Sequence, residues 1–201
     1  MAALQPENPK RKNDKAQIDA TGRWVLVATI SASSMAFFMQ SALNIAIPTI
    51  QTDLGASGAD AIWIVNVYQL VLSALLLVGG SLGDHYGRKR VYSIGIGIFV
   101  VASIACGFAP TSEILIAARA VQGIGGAMMV PGSLAIISAY FDSGTRGRAI
   151  GLWSAIVTAA SALAPVLGGV LADIGLWRLI LFVVAPFGLA SLWALIQHVP
   201  E

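Results

Sequence analysis

Apolar residues run along this chain in long blocks, broken at regular intervals by charged ones. No Asp, Glu, Lys or Arg occurs between Arg23 and Asp53, Asp60 and Asp84, Arg90 and Glu113, Arg119 and Asp142, Arg148 and Asp173, or Arg178 and Glu201, and these six windows hold 29, 23, 22, 22, 24 and 22 residues. A helix needs ~20 apolar residues to cross a hydrocarbon core of ~30 Å, whereas apolar stretches of about 10 to 14 more often mark soluble core helices. The pattern predicts six transmembrane helices, near residues 24–47, 61–82, 91–109, 114–138, 149–171 and 179–198.

Composition agrees with a lipid-facing chain, since 57% of the residues are hydrophobic and 11% are charged, against about 25% charged in a soluble domain. The basic residues are unevenly placed. Lys10, Arg11, Lys12, Lys15 and Arg23 precede the first window, Arg88, Lys89 and Arg90 follow the second, and Arg146 and Arg148 follow the fourth, which is ten of the twelve. Cytoplasmic loops retain Lys and Arg during insertion, so both chain ends are expected in the cytoplasm of a multi-pass protein of the plasma (inner) membrane. The first window is too long for a signal peptide and no A-x-A site follows it, so it is expected to remain as an anchor helix. Residues 1–20 read as a disordered cytoplasmic tail and residues 21–201 as one six-helix bundle. The tail charges are ascribed to topology and not to nucleic-acid binding. Cys106 is the single cysteine, which excludes an internal disulfide or a cysteine metal cluster; no metal, cofactor or catalytic residue is expected.

An internal repeat then organises the chain. GGSLGD at 79–84 recurs as GGVLAD at 168–173, an offset of 89 residues. Three helices separate the copies, and an odd number reverses the direction of crossing. The expected fold is therefore all-α, with two inverted three-helix repeats, an arrangement found in six-helix halves of secondary transporters.

Gly80 to Lys89 reads GSLGDHYGRK and resembles the loop signature G-x-L-x-D-x-x-G-R-[KR] of the major facilitator superfamily, with His85 where that family often has Arg or Lys. Arg119, Gln122, Gly123, Gly125, Gly126 and Ala127 are similar to a second signature of that superfamily, R-x-x-Q-G-x-G-x-A. In the fifth helix Gly151, Pro165, Gly168 and Gly169 fit the drug:proton antiporter pattern G-x8-G-x3-G-P-x2-G-G, while Ala160 and Ala164 replace two of its glycines. FMQSALNIAIP, from Phe38 to Pro48, is similar to the first helix of the fourteen-helix drug antiporters, although Met39 stands at the acidic position.

The resemblance implies the N-terminal half of a major facilitator fold and a secondary active efflux transporter for small amphipathic organic compounds, working by alternating access. Proton coupling is left open, because no Asp or Glu lies deep in any predicted helix. Gly80, Gly83, Asp84, Gly87, Arg88 and Lys89 are expected to form a cytoplasmic gate loop, in which Gly83 and Gly87 turn the chain and Asp84 and Arg88 hold the two transporter halves together. Arg119, Gln122, Asn44 and Gln40 are expected at the coupling site or cavity, with Asn66 and Gln69 as further buried polar groups. Gly151, Pro165, Gly168 and Gly169 are expected to pack the fifth helix. Partners would be the small-molecule substrate, the lipid bilayer, and either a missing C-terminal half or a second six-helix chain. The alternative is a non-transporting six-helix subunit that anchors or regulates a partner. His85 and His198 sit at separate helix ends, and no serine elbow or phosphate loop supports an enzyme.

Overall fold

The computed structural model describes residues 20–199. They form six helices, α1 (Ala20–Leu54), α2 (Gly58–Tyr86), α3 (Arg88–Gly107), α4 (Ser112–Tyr140), α5 (Arg146–Asp173) and α6 (Arg178–His198). Among the described residues there is no strand, and all six helices are long and apolar enough to cross a membrane. The tail expected over 1–20 lies outside the described residues apart from Ala20, which opens α1.

Five of the predicted spans lie inside observed helices, and the third ends two residues early, where the N–H groups of Phe108 and Ala109 still bond to Ile104 O and Cys106 O. The larger correction is at the cytoplasm-assigned stretch read as a loop. A helix keeps its backbone hydrogen bonds beyond the apolar window until a residue interrupts them. Here α2 continues through Gly80, Gly83 and Asp84, and the turn into α3 is Gly87 by itself, at φ +95°. Gly83 is helical and buried, so it does not turn the chain. Gly55 and Gly175, at φ +62° and +74°, end α1 and α5 in the same way. At the start of α2, Ser57 Oγ accepts from Asp60 N while Ser57 N donates to Asp60 Oδ2 at 2.8 Å, a closed capping box.

The packing follows the inverted repeat. Helix α2 lies along α4 as α5 lies along α1; α3 packs on α4 as α6 packs on α1; α1 meets α4 and α3 meets α6. Exchanging the first three helices for the last three leaves this scheme unchanged. The two glycines that the repeat equates do equivalent work: a Cβ on Gly79 would stand 2.1 Å from Ala127 O of α4, and one on Gly168 would stand 2.7 Å from Ala42 O of α1. Without a hydrophobic force between helices in lipid, such close approach supplies the dispersion contacts that hold them.

Helices α1 and α4 are thus central, α3 and α6 back them, and α2 and α5 flank them. The side opposite α3 and α6 is left uncovered. On α1 it carries Phe37, Gln40, Ser41, Asn44 and Pro48, which recur at helical spacing and are exposed or half-buried. The two bundle ends also differ chemically. At one end Trp24 of α1 stacks on His198 of α6 with ring centroids 4.2 Å apart, and Lys89 Nζ donates to Val199 O at 2.6 Å. At the other, Asp53 of α1 is paired with Arg178 of α6, whose Nη2 donates to Ala109 O at 3.3 Å. Both ends of the bundle's chain therefore lie on one side.

Candidate functional site

The polar centre of the bundle is built on α4. Within its run Gly123-Ile124-Gly125-Gly126 the three glycines carry no side chain while Ile124 points outward, and neighbours come close on two sides. A Cβ on Gly123 would lie 2.8 Å from Tyr68 O of α2, and one on Gly125 would lie 2.7 Å from Phe99 N of α3. This closeness seals Arg119 and Gln122, one turn apart on the same helix, away from solvent: Arg119 is 1% exposed and Gln122 not at all. An arginine inside a membrane helix is costly unless its donors find acceptors.

Every donor group of Arg119 has one. Its Nε donates to Ile64 O of α2 at 3.2 Å, Nη2 to Gln40 Oε1 of α1 at 2.7 Å, and Nη1 to Gln122 Oε1. The guanidinium carbon also lies 4.6 Å from the centre of the Tyr68 ring, a cation–π contact. Gln122 Nε2 donates onward to Ser103 Oγ of α3 at 2.6 Å, and Ser103 Oγ donates to Phe99 O. Four helices are thereby joined through one cation.

Met39 completes this network. It is fully buried, and its sulfur is contacted by Arg119 Nη1 at 3.8 Å and by Gln122 Nε2. The position read from the sequence as lacking an acid thus faces the buried guanidinium with a neutral, polarizable thioether. All six acidic residues among those described, Asp53, Asp60, Asp84, Glu113, Asp142 and Asp173, lie at helix ends or in the adjoining turn. Asp60, one turn before Ile64, is held in its capping box with Ser57. The charge of Arg119 is met by dipoles, a sulfur and a ring, and by no carboxylate among the described residues.

The other sequence-derived candidates divide. Gln40 is half-buried and lines a cavity of about 270 Å³ between α1, α2 and α4, with Phe37, Tyr68, Gln69, Ser73 and Val130 in its wall. Asn44, Asn66 and Gln69 are exposed, not buried, because they sit on surfaces that no other helix of this chain covers. A second cavity, of about 380 Å³, opens between α1 and α5 beside Phe37, Trp153, Ser154, Thr158 and Ser161. There Ser41 and Ser161 share a hydrogen bond of 2.9 Å, and Trp153 Nε1 donates to Ser33 Oγ at 3.2 Å.

In the fifth helix, Gly168 is pressed on Ala42 and Gly169 would place a Cβ 3.6 Å from Ile45 Cγ2, while Pro165 is half-buried inside the helix. Gly151 packs on nothing, since a Cβ there would meet no atom within 4 Å. Of the glycines expected to pack the fifth helix, Gly168 and Gly169 thus lie against α1, whereas Gly151 is exposed.

At the α2–α3 turn, Arg88 pairs with Asp84 at 3.0 Å and donates through Nη1 to Ala135 O of α4 at 3.1 Å. Gly80 would carry a Cβ 3.9 Å from Pro131 of α4, and Lys89 is bound to Val199 O. The residues of this turn are therefore brought together within the bundle, tying α2 and α3 to α4 and to the end of α6. Sequence reasoning missed Ser103, Tyr68, Ser41 and Ser161, because a hydroxyl within an apolar window carries no periodic signal of its own. It also missed the Asp53–Arg178 pair, although the lone cation in an otherwise cation-poor end was visible.

Two inverted three-helix repeats thus enclose a buried arginine and leave one side of a membrane-spanning bundle uncovered. Residues 29–201 match the Major Facilitator Superfamily, and the chain belongs to that family. It is 38% identical over 185 residues to the methylenomycin A resistance protein of Bacillus subtilis, covering 90% of this chain and 40% of that protein. It is 39% identical over 183 residues to the multidrug efflux pump LfrA of Mycolicibacterium smegmatis, covering 90% of this chain and 36% of that one. The puromycin resistance protein pur8 of Streptomyces alboniger is 37% identical over 170 residues, covering 84% and 34%. The chain spans two fifths or less of the length of these curated relatives. In fold it matches a bacterial homologue of the lysosomal transporter Spinster in its inward-facing state, with a TM-score of 0.74 at 24% identity over 90% of this chain and 44% of that one. A peptide transporter in complex with sulfate matches with a TM-score of 0.77 at 16% identity, over 94% and 41%.

Proposed function

We propose that this chain forms the N-terminal half of a secondary transporter that exports small amphipathic organic compounds by alternating access. The observation that carries the reading is the uncovered side of α1, α2, α4 and α5, where two cavities flank Phe37 above a fully satisfied buried arginine network. Ligand pockets are apolar walls with a few placed polar groups, and these two have Trp153, Tyr68 and Phe37 among Gln40, Gln69, Ser154 and Thr158. The resistance and efflux proteins named above support the class of cargo. A second bundle, either a C-terminal half or another six-helix chain, closes the cavity on the uncovered side.

In this reading the basic end of the bundle, which carries Arg23, Arg88, Lys89, Arg90, Arg146 and Arg148, faces the cytoplasmic side of the plasma membrane, since cytoplasmic loops retain Lys and Arg. The α2–α3 turn then works as the cytoplasmic gate. Asp84 is poorly placed at the C-terminal end of its own helix dipole, by about 0.3 to 1 kcal/mol, so it exchanges its pairing with Arg88 for a partner on the opposite bundle as the halves rock. If transport is coupled to protons, the carboxylate that binds them comes from outside the described residues.

Energised vesicles holding the protein from its complete reading frame test this. Dye export that stops when the proton gradient and membrane potential are collapsed is the expected result. Absence of any solute flux, together with a co-purifying protein, would favour the anchoring-subunit reading instead. Within the same assay, Asp84→Asn is expected to insert normally and to lower transport.

A further inference from the structure

Arg119 is held by five partners, four hydrogen-bond acceptors and one aromatic ring, and they are not equal. Ile64 O is backbone within a helix, Gln122 and Met39 are fully buried and fixed by one another, and the Tyr68 ring is packed edge-on against Phe99 with centroids 6.2 Å apart. Gln40 alone of the side-chain partners is half-buried, and together with the packed Tyr68 ring it lines the 270 Å³ cavity. Rotation of that one side chain opens Nη2 to whatever occupies the cavity. The buried charge behind it has no carboxylate, because all six described acids lie at helix ends or in the adjoining turn. A buried cation met only by neutral dipoles gains most from an anion that can enter, since charge-assisted bonds are about twice as strong as neutral ones and arginine presents a planar fork to carboxylates.

We propose that this cavity selects aromatic carboxylic acids in their anionic form, with the carboxylate displacing Gln40 from Arg119 Nη2 and the ring lying between Phe37 and Tyr68. This rests on the export reading above and names the charge class of its cargo: acids over their neutral amides, and amides over amines. Gln69 and Ser73, on the α2 wall of the same cavity, supply neutral hydrogen bonds and leave the charge preference to Arg119.

The test uses the protein from its complete reading frame in lipid nanodiscs, with naphthylacetate, naphthylacetamide and naphthylethylammonium as a shape-matched set, each measured by displacement of tritiated naphthylacetate or by thermal shift. The acid is expected to bind at least tenfold more tightly than the amide, and the ammonium weakest. Gln40→Glu puts a carboxylate where Gln40 Oε1 now sits, 2.7 Å from Nη2, and should reduce the acid-to-amide affinity ratio at least tenfold. Gln40→Ala, which removes the displaceable group without adding charge, should keep the preference for the acid. An unaltered ratio in Gln40→Glu, or loss of the preference in Gln40→Ala, would overturn the inference. So would tightest binding of the ammonium, an outcome that leaves the export reading standing. Failure of all three probes to bind would overturn the inference, while dye export from energised vesicles decides the export reading separately.

Discussion

Asp53 and Arg178 lie 125 positions apart in sequence and form an ion pair at the end of the bundle remote from the start of α1 and the end of α6, with Trp177 Nε1 donating to the same carboxylate oxygen at 3.2 Å. Arg178 also lies over the Trp177 ring, 4.4 Å from its centre. The pair fastens the last turn of α1 to the first turn of α6 and explains why this end tolerates a cation.

Both side chains are about two fifths exposed, so solvent screens them and the pair contributes modestly. Asp53→Asn and Arg178→Gln are each expected to cost up to about 1 kcal/mol, with a coupling energy of about 0.5 to 1 kcal/mol in a double-mutant cycle. Thermal melting in detergent at low and high salt measures it. A coupling above about 2 kcal/mol, unchanged by salt, would mean the pair is desolvated.

Gly125 carries a sharper expectation. Its place opposite Gly95, with Phe99 N only 2.7 Å from where a Cβ would stand, leaves no room for a methyl group between α3 and α4. Overpacking of this kind costs about 1 to 3 kcal/mol. Gly125→Ala should lower the melting temperature clearly and loosen the burial of Gln122, whereas Gly97→Ala, where a Cβ meets nothing within 4 Å, should melt like the parent. Equal melting of the two would show that α3 and α4 separate without loss.

Much of this is legible in the residues alone, and the reasons are physical. Charge-free windows of membrane length identify spans because ionic groups are too costly to leave in oil, and GGSLGD and GGVLAD revealed the repeat because close crossings demand glycine at fixed places. Arg119 and Gln122 stood out for the same cost. What stayed hidden depends on which side of each helix is covered. Asn44, Asn66 and Gln69 look identical in sequence to Gln122, yet only Gln122 is enclosed, and Gly151 looks like Gly168, yet only Gly168 touches a neighbour. The periodicity of an apolar helix in lipid is weak, so its inward side is not written in its pattern.

Gly87 tests the local geometry of the α2–α3 turn. At φ +95° and ψ +125° it occupies a conformation that side-chain-bearing residues rarely adopt, although a Cβ there would meet no atom within 4 Å. Strain of this kind costs about 1 to 3 kcal/mol. Gly87→Ala should therefore disturb the placement of Arg88 on Ala135 O without creating a clash, seen as faster amide exchange at the ends of α2 and α3. The core of α4 should exchange as before, and matching exchange throughout would show that the turn relaxes freely.

Met39 offers the most direct probe of the uncompensated charge. An Asp Oδ stands as many bonds from the backbone as a Met Sδ, so Met39→Asp would bring a carboxylate to where the sulfur now meets Arg119 Nη1 and Gln122 Nε2. Two opposite charges in contact at low dielectric, with the remaining oxygen bound by Gln122, satisfy the geometry that a buried ion pair needs. The substitution should be accepted without loss of thermal stability despite removing buried apolar atoms. Met39→Lys adds a second buried cation beside the first, and an unpaired buried charge costs on the order of 3 to 5 kcal/mol, enough to abolish folded protein in the membrane. Since the new carboxylate of Met39→Asp would neutralise Arg119 from behind the cavity, it should also weaken binding of naphthylacetate relative to its amide, in the same direction as Gln40→Glu. Equal tolerance of Asp and Lys at this position would mean that water reaches Arg119 and that its charge is already screened.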